Sequence, residues 1–361
     1  MHYYIDPLRY DGCLGVLQSR GTQARVLLVL INLVSLGCLV WTLRDAKLGE
    51  LRDDLATMDW KWVALAVGAN ICVYLLQGYR WALMLRPVEP VGFWRSSRAI
   101  FIGLFANEVF PGHVGEVLRC YLLAKWTRIP LSVSLSSALI ERVFDGIWLS
   151  LCLLLTLRFI HLPRHLRYLT DGAWVLGVVV LAGAALLAFA MFRPRRAHRP
   201  VVPPRPGWRG HLVVLFQDLG LIGHSKYLYW SLLVSLPYLL LQTIPIWASF
   251  KGYGFDLGLA EAFALMVILR LGGIVPQAPG NLGLFQLLTK EVLDRVFNVV
   301  PDESGRFSVV LWGIVTLPLV VAGIIALWIE EADLIQIKRA AEQEAATLRD
   351  REHDHVHRSS S

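Results

Sequence analysis

The sequence predicts an all-α, polytopic transmembrane protein with six full spans and two re-entrant helical hairpins arranged as an inverted repeat. Three observations predict it. The 361 residues are 55% hydrophobic and only 17% charged, with a mean hydropathy of +0.52, whereas soluble domains carry about 25% charged residues. Apolar runs of 18 residues or more recur along the chain, long enough to cross about 30 Å of hydrocarbon as helix. The motif P-G-x-x-G interrupts apolar sequence twice, at Pro111-Gly112-His113-Val114-Gly115 and at Pro279-Gly280-Asn281-Leu282-Gly283.

The elements follow in order. Residues 1–25 form a polar N-terminal segment. The first apolar run, 26–43, ends at Arg44 without a small-x-small cleavage pattern, so it reads as a span and not as a signal peptide. The second span is 62–85. Residues 99–124 surround the first break and read as a hairpin of half-helices. Spans three and four are 132–157 and 174–192. The stretch 193–209, RPRRAHRPVVPPRPGWR, holds six Arg, five Pro and no acid, so it is a loop. Residues 212–227 mix an apolar face with Gln217, Asp218, His224 and Lys226 and suit the membrane interface. The fifth span is 228–250, the second hairpin is 259–297, and the sixth span is 309–329. The tail, 330–361, is charged and reads as a solvated helix or coil, and its alternating His353, His355 and His357 read as loose polar tail. The five cysteines show no C-x-x-C pair and read as packing residues. No soluble domain of useful size is left over.

Basic residues orient the spans. The six-Arg loop belongs in the cytoplasm and can hold anionic lipid at about 1 kcal/mol per basic residue. With both termini cytoplasmic, the two hairpins enter from opposite faces. That is the arrangement of an inverted repeat with a binding site at the repeat interface.

The breaks carry the functional argument. Pro removes a donor and Gly costs backbone entropy, so each ends a helix. Broken helix at membrane depth is tolerated only against protein or a watery cavity. Nine ionisable residues accompany the breaks in or near apolar sequence: Arg80, Glu108, Glu116, Arg119, Glu141, Arg142, Asp145, Glu261 and Arg270. A central charge costs roughly 2.5–3.5 kcal/mol on insertion scales, so these must pair, sit near an interface or line water. Four are positive and five negative. Such a set can pair internally or receive a group carrying both phosphate and amine. Glu141 and Asp145 share a helix face at i, i+4 and require a proton or an arginine, for which Arg80 and Arg119 are the candidates. Glu116 and Arg119, at i, i+3, suit a local pair. His113 and Asn281 lie inside the breaks. The first is a polar filler or a titrating group, and the second satisfies freed backbone groups or contacts substrate.

These residues resemble the flippase-like membrane family related to the transmembrane domain of bacterial lysylphosphatidylglycerol synthase. The resemblance rests on Gly78-Tyr79-Arg80-Trp81, on Asn107 through Pro111-Gly112-x-x-Gly115-Glu116-x-x-Arg119, on Ile140-Glu141-Arg142-Val143-Phe144-Asp145, and on Ala278-Pro279-Gly280-Asn281-Leu282-Gly283-x-Phe285. It covers most of 26–329 and implies a flippase-like transmembrane domain in the bacterial inner membrane, without the synthase's soluble catalytic domain. Where the family has Glu after G-x-F, this chain has Gln286. Gln keeps hydrogen bonding but loses proton exchange, which leaves Glu116 as the expected ionisable partner of a break.

The expectation is therefore a lipid flippase or lipid-linked substrate transporter, not an enzyme. The expected substrate-binding residues are Arg80, Asn107, Glu108, Glu116, Arg119, Glu141, Arg142, Asp145, Asn281 and Gln286. The helix-break residues are Pro111, Gly112, Gly115, Pro279, Gly280 and Gly283. Arginines would contact phosphate, and carboxylates an amine or proton. The expected partners are a membrane phospholipid or other lipid-linked substrate, and anionic lipid at the basic loop. No cofactor, metal or nucleic acid is expected, and no Walker motif is present for ATP coupling. The rival readings are a membrane-embedded transferase using the same carboxylates as acid and base, and a non-transporting regulatory subunit.

Overall fold

The computed structural model describes residues 21–44, 46–110, 114–159, 175, 178–179, 182–183, 225–273 and 278–359, with side chains described for those within 32–156 and 175–331. The expectations for Pro111, Gly112 and His113, the loop 193–210, most of 174–192 and most of 212–227 lie outside the described residues, as do those for residues 1–20 and for the side chains of the tail.

Among the described residues the architecture is all-helical. In chain order the helices are α1 (Gly21–Leu43), α2 (Leu51–Thr57), α3 (Trp60–Leu85), α4 (Phe93–Val109), α5 (Val114–Trp126), α6 (Leu131–Phe159), α7 (Lys226–Leu241), α8 (Thr243–Tyr253), α9 (Leu259–Gly272), α10 (Leu284–Arg295) and α11 (Pro301–Ser359). A 3₁₀ turn precedes α2 at Leu48–Glu50, and another, at Pro279–Asn281, precedes α10.

Among the described residues three helical stretches are long and apolar enough to cross a membrane: Trp60–Leu85, Lys226–Tyr253 and Pro301–Glu331. The expected third span coincides with α6, but Glu141, Arg142 and Asp145 in mid-helix lower its apolarity. The expected fifth span is two helices joined at Gln242, with Pro237 one turn earlier. The helix of the last span runs on through the charged tail to Ser359.

Six hydroxyls in these helices are satisfied locally. Thr42, Ser136, Thr156, Ser235, Ser249 and Thr289 each donate to the carbonyl four residues back, at 2.7–2.8 Å. Such back-bonding lets a hydroxyl sit in an apolar helix without an unpaired donor. Large apolar side chains face outward on several helices, as with Trp41, Leu154, Trp230 and Val321, which suits a surface whose solvent is lipid.

The helix α3 is the axis of the molecule and packs on α4, α6, α7, α8 and α11. Of the four apolar clusters among the described residues, the two largest lie in different parts of the molecule. One joins Trp81, Met84, Leu85, Ile100, Leu123 and Ile140; the other joins Leu265, Phe250, Leu293, Phe307 and Leu311. The paired helices α4 and α5 lie on the first core side, and α9 and α10 on the second. The two breaks therefore come from different halves of the molecule.

Candidate functional site

The second break is described in full. Gly280, Asn281 and Gly283 have positive φ, at 72°, 54° and 96°, a region that glycine enters without steric penalty and asparagine tolerates. A β-carbon on Gly283 would collide with the Ser35 carbonyl oxygen of α1. Three of the freed backbone groups are taken up by side chains. The Gly283 N–H donates to Gln286 Oε1 at 2.7 Å, the Ala278 N–H to Ser35 Oγ at 3.2 Å, and Trp312 Nε1 to the Gly280 carbonyl at 2.7 Å. Gln286 is almost fully buried and spends its oxygen capping its own helix. The i, i+3 spacing from Gly283 is that of a capping box.

The first break uses the same device with another residue. Asn107 Oδ1 accepts from the Gly115 N–H at 2.8 Å. There α4 and α5 cross at Gly103 and Gly115, so closely that a β-carbon on Gly115 would overlap the Gly103 carbonyl. Both motifs thus give the N–H of their last glycine to a side-chain amide oxygen. Asn107 and Gln286 hold the breaks, and their oxygens are occupied.

Six of the nine expected charges assemble into one alternating ladder. Asp145 binds Arg80, whose Nη2 also donates to Glu141 Oε1 at 3.1 Å. The other oxygen of Glu141 accepts from Arg119 Nη2 at 2.7 Å, and Arg119 also meets Glu116 at 2.9 Å. The second oxygen of Glu116 accepts from Arg142 Nη2 at 2.9 Å. Three carboxylates and three guanidiniums balance to zero, which is how charge can be held in a low-dielectric interior. The candidates Arg80 and Arg119 both serve Glu141, while Asp145 belongs to Arg80.

The ladder is most buried in its middle and most open at its Arg142 end, with Asp145 at the other end 19% exposed. Glu141 and Arg80 are fully buried, whereas the Arg142 side chain is 47% exposed. Aromatic faces support the buried arginines: Arg80 lies 4.5 Å from the Tyr238 ring centroid and Arg119 4.7 Å from that of Trp81. Trp81 is fixed by its bond to Ser137 at 2.8 Å.

Glu108 stands apart from the ladder. One carboxylate oxygen is buried with no hydrogen-bond partner among the described residues. The other faces Asn281 Nδ2 at 3.5 Å, so Glu108, from the first break, and Asn281, from the second, meet across 173 residues of sequence.

Three further residues complete the site. Ser235 Oγ accepts from Arg80 Nη1 at 3.0 Å, and Arg270 donates to the Tyr238 hydroxyl at 2.8 Å and to Gln242. Sequence reasoning reached Arg270 as a charge but not its partners. Only the polar substitutions on one face of apolar α7 hinted at them. Glu261 belongs elsewhere, as it caps α9 through the Gly258 N–H at 2.9 Å. A second charge cluster was also not foreseen: nearly buried Arg306 holds Asp54 at 2.6 Å, Asp302 at 2.9 Å and Glu50 at 3.0 Å. Tyr253 donates to the same Asp54, and exposed Lys47 joins Asp302 at 3.3 Å, a bond that raises the lysine's pKa. This cluster ties the segment before α3 to the start of α11.

Comparison with known proteins bears on this arrangement. Residues 25–324 match the model of the lysylphosphatidylglycerol synthase transmembrane region. Two UPF0104 membrane proteins of Methanothermobacter thermautotrophicus are similar: one is 22% identical over 281 residues, covering 71% of this chain and 81% of the relative. The other is 25% identical over 272 residues, covering 70% and 78%. The glycosyltransferase AglD of Haloferax volcanii is 22% identical over 351 residues, covering 84% of this chain and 54% of that protein.

Proposed function

This chain belongs to the lysylphosphatidylglycerol synthase transmembrane-region family and is an integral membrane protein, and from that premise we propose that it is a lipid flippase or lipid-linked substrate transporter. A polar headgroup passes between the two hairpins while its acyl chains stay in the surrounding lipid. The hairpins are re-entrant, enter from opposite faces of the bacterial inner membrane, and form an inverted repeat with both termini cytoplasmic.

The single observation that carries this reading is the charge ladder. A neutral set of six charges, fully buried at Arg80 and Glu141 and most open at Arg142, is a poor investment for stability alone, because apolar packing of similar volume is often as stable. It is well suited to a substrate that exchanges ion pairs one at a time. Arg142, half exposed and bound through one nitrogen to Glu116, is the entry contact for a headgroup phosphate. Its planar fork keeps donors free for bidentate binding. As phosphate takes Arg142, Glu116 is released to an amine or a proton while Arg119 holds the ladder closed behind it.

The test is translocation of headgroup-labelled native lipids in vesicles reconstituted with the purified protein. A charge-assisted contact of about 1.5–3 kcal/mol sets the expected loss for Arg142→Ala at roughly ten- to a hundred-fold in rate, with Arg142→Lys intermediate. No translocation of any native lipid by the wild type would exclude the proposal. A second reading, a transferase acting on lipid-linked substrates, is favoured by the name of the AglD relative, and product formation by purified protein from a labelled donor would select it.

A further inference from the structure

Glu108 is the one carboxylate of the central set that the ladder does not use. Asp145, Glu141 and Glu116 each have a guanidinium within hydrogen-bond distance. Glu108 has none among the described residues, and its Oε2 is buried without a partner. Ionised and bare, such a group is too costly to keep in a low-dielectric interior, so it carries a neutralising charge.

Its position gives that charge a role. Glu108 lies at the end of α4, one residue after Asn107, which pins the first break. It faces Asn281 and the Gly280 backbone of the second break, where a β-carbon on Gly280 would sit 3.7 Å from Oε2. The groups presented by the packed elements are Tyr74 and Arg80 from α3, Glu116 and Arg119 from α5, Trp312 from α11 and Asn281 from the turn. Arg80, Arg119 and Glu116 are committed to the ladder, and Trp312 Nε1 to Gly280. Tyr74 and the amide of Asn281 are neutral. No fixed cation is aimed at Glu108 from these elements.

We propose that Glu108 is the loading site for a single monovalent cation, a proton or a sodium ion, that couples the two helix breaks. With the cation in place the carboxyl is neutral and the breaks remain in contact, the carboxyl and the Asn281 amide facing one another. When the breaks part, Glu108 meets water and the cation leaves. Sites of this kind form where unwound helix segments face one another. The inference rests on the transport reading, but its first test does not require transport.

That test is infrared difference spectroscopy of the full-length protein in detergent as pH is raised. In the proton case, wild type shows a protonated-carboxyl band that disappears on titration and is lost in Glu108→Gln. In the sodium case, radiolabelled sodium binds wild type with one site per chain and fails to bind Glu108→Gln. If neither the band nor sodium binding differs between wild type and E108Q, the proposal is overturned. Should E108Q not fold, Asn281→Ala replaces it: loss of the facing amide shifts the wild-type band or weakens sodium binding, and an unchanged signal counts against the site. In vesicles, a proton or sodium gradient then drives wild-type translocation and not that of E108Q. Cation loading without translocation leaves the site intact and removes the transport reading. Translocation indifferent to both gradients removes the coupling and leaves the flippase.

Discussion

Arg80→Ala is expected to destabilise the protein by about 3–5 kcal/mol, the cost of leaving a buried charge without its partner. Among the described residues Arg80 is the only guanidinium bonded to Asp145, and it holds Glu141 and Ser235 as well. Its removal strands Asp145 beside the apolar residues of α6 and takes the cation from the face of Tyr238. Glu141 retains Arg119, so the damage centres on Asp145. The double variant Arg80→Met with Asp145→Asn removes both charges together and is expected to recover most of the loss. Reversible unfolding in mixed micelles measures both. A wild-type midpoint for Arg80→Ala would mean that Asp145 finds a partner elsewhere and that the ladder does not hold the core together.

Gly283→Ala carries the second large effect, about 2–6 kcal/mol when two costs are combined. The first is backbone strain, since φ is 96° and a side chain in so sparse a region costs about 1–3 kcal/mol. The second is overlap with the Ser35 carbonyl, with overpacking worth about 1–3 kcal/mol. Gly68→Ala in α3 is the control, because its β-carbon meets nothing within 4 Å and alanine favours helix by roughly 0.5–1 kcal/mol. Opposite signs for the two substitutions in the same unfolding assay are the expected outcome. Equal small effects would show that α1 yields at Ser35 without cost.

The part of this site that was legible in the sequence is the part encoded locally. Glu116 and Arg119 pair because i, i+3 spacing places them together on a helix. Glu141 and Asp145 share a face and so share the demand for an arginine. Glycines in a P-G-x-x-G pattern announce a backbone that other residues avoid. Gln286 was legible as a departure from the family pattern but not as a buried cap, although its distance from Gly283 contained that information. What depends on packing did not show. Ser235 and Tyr238 look like ordinary residues of an apolar span until α7 is set against α3. Glu108 and Asn281 are separated by most of the transmembrane region, and only the assembled halves bring them to 3.5 Å. Arg306 sits at the start of the last span, where sequence alone suggests an interfacial charge. Its burial follows from three carboxylates that arrive from Glu50, Asp54 and Asp302.

A headgroup that passes between the two breaks requires them to separate and close again. Spin labels at Phe110, exposed at the end of α4, and at Leu282 in the second break report that separation directly. They would be introduced into a variant with its five cysteines replaced, in lipid nanodiscs. Pulsed electron paramagnetic resonance is expected to give two distance populations, one matching the closed contact of Glu108 with Asn281 and one longer. Their ratio is expected to shift when native lipid is exchanged for a headgroup-free analogue. A single narrow distance, unchanged by lipid, would contradict the account.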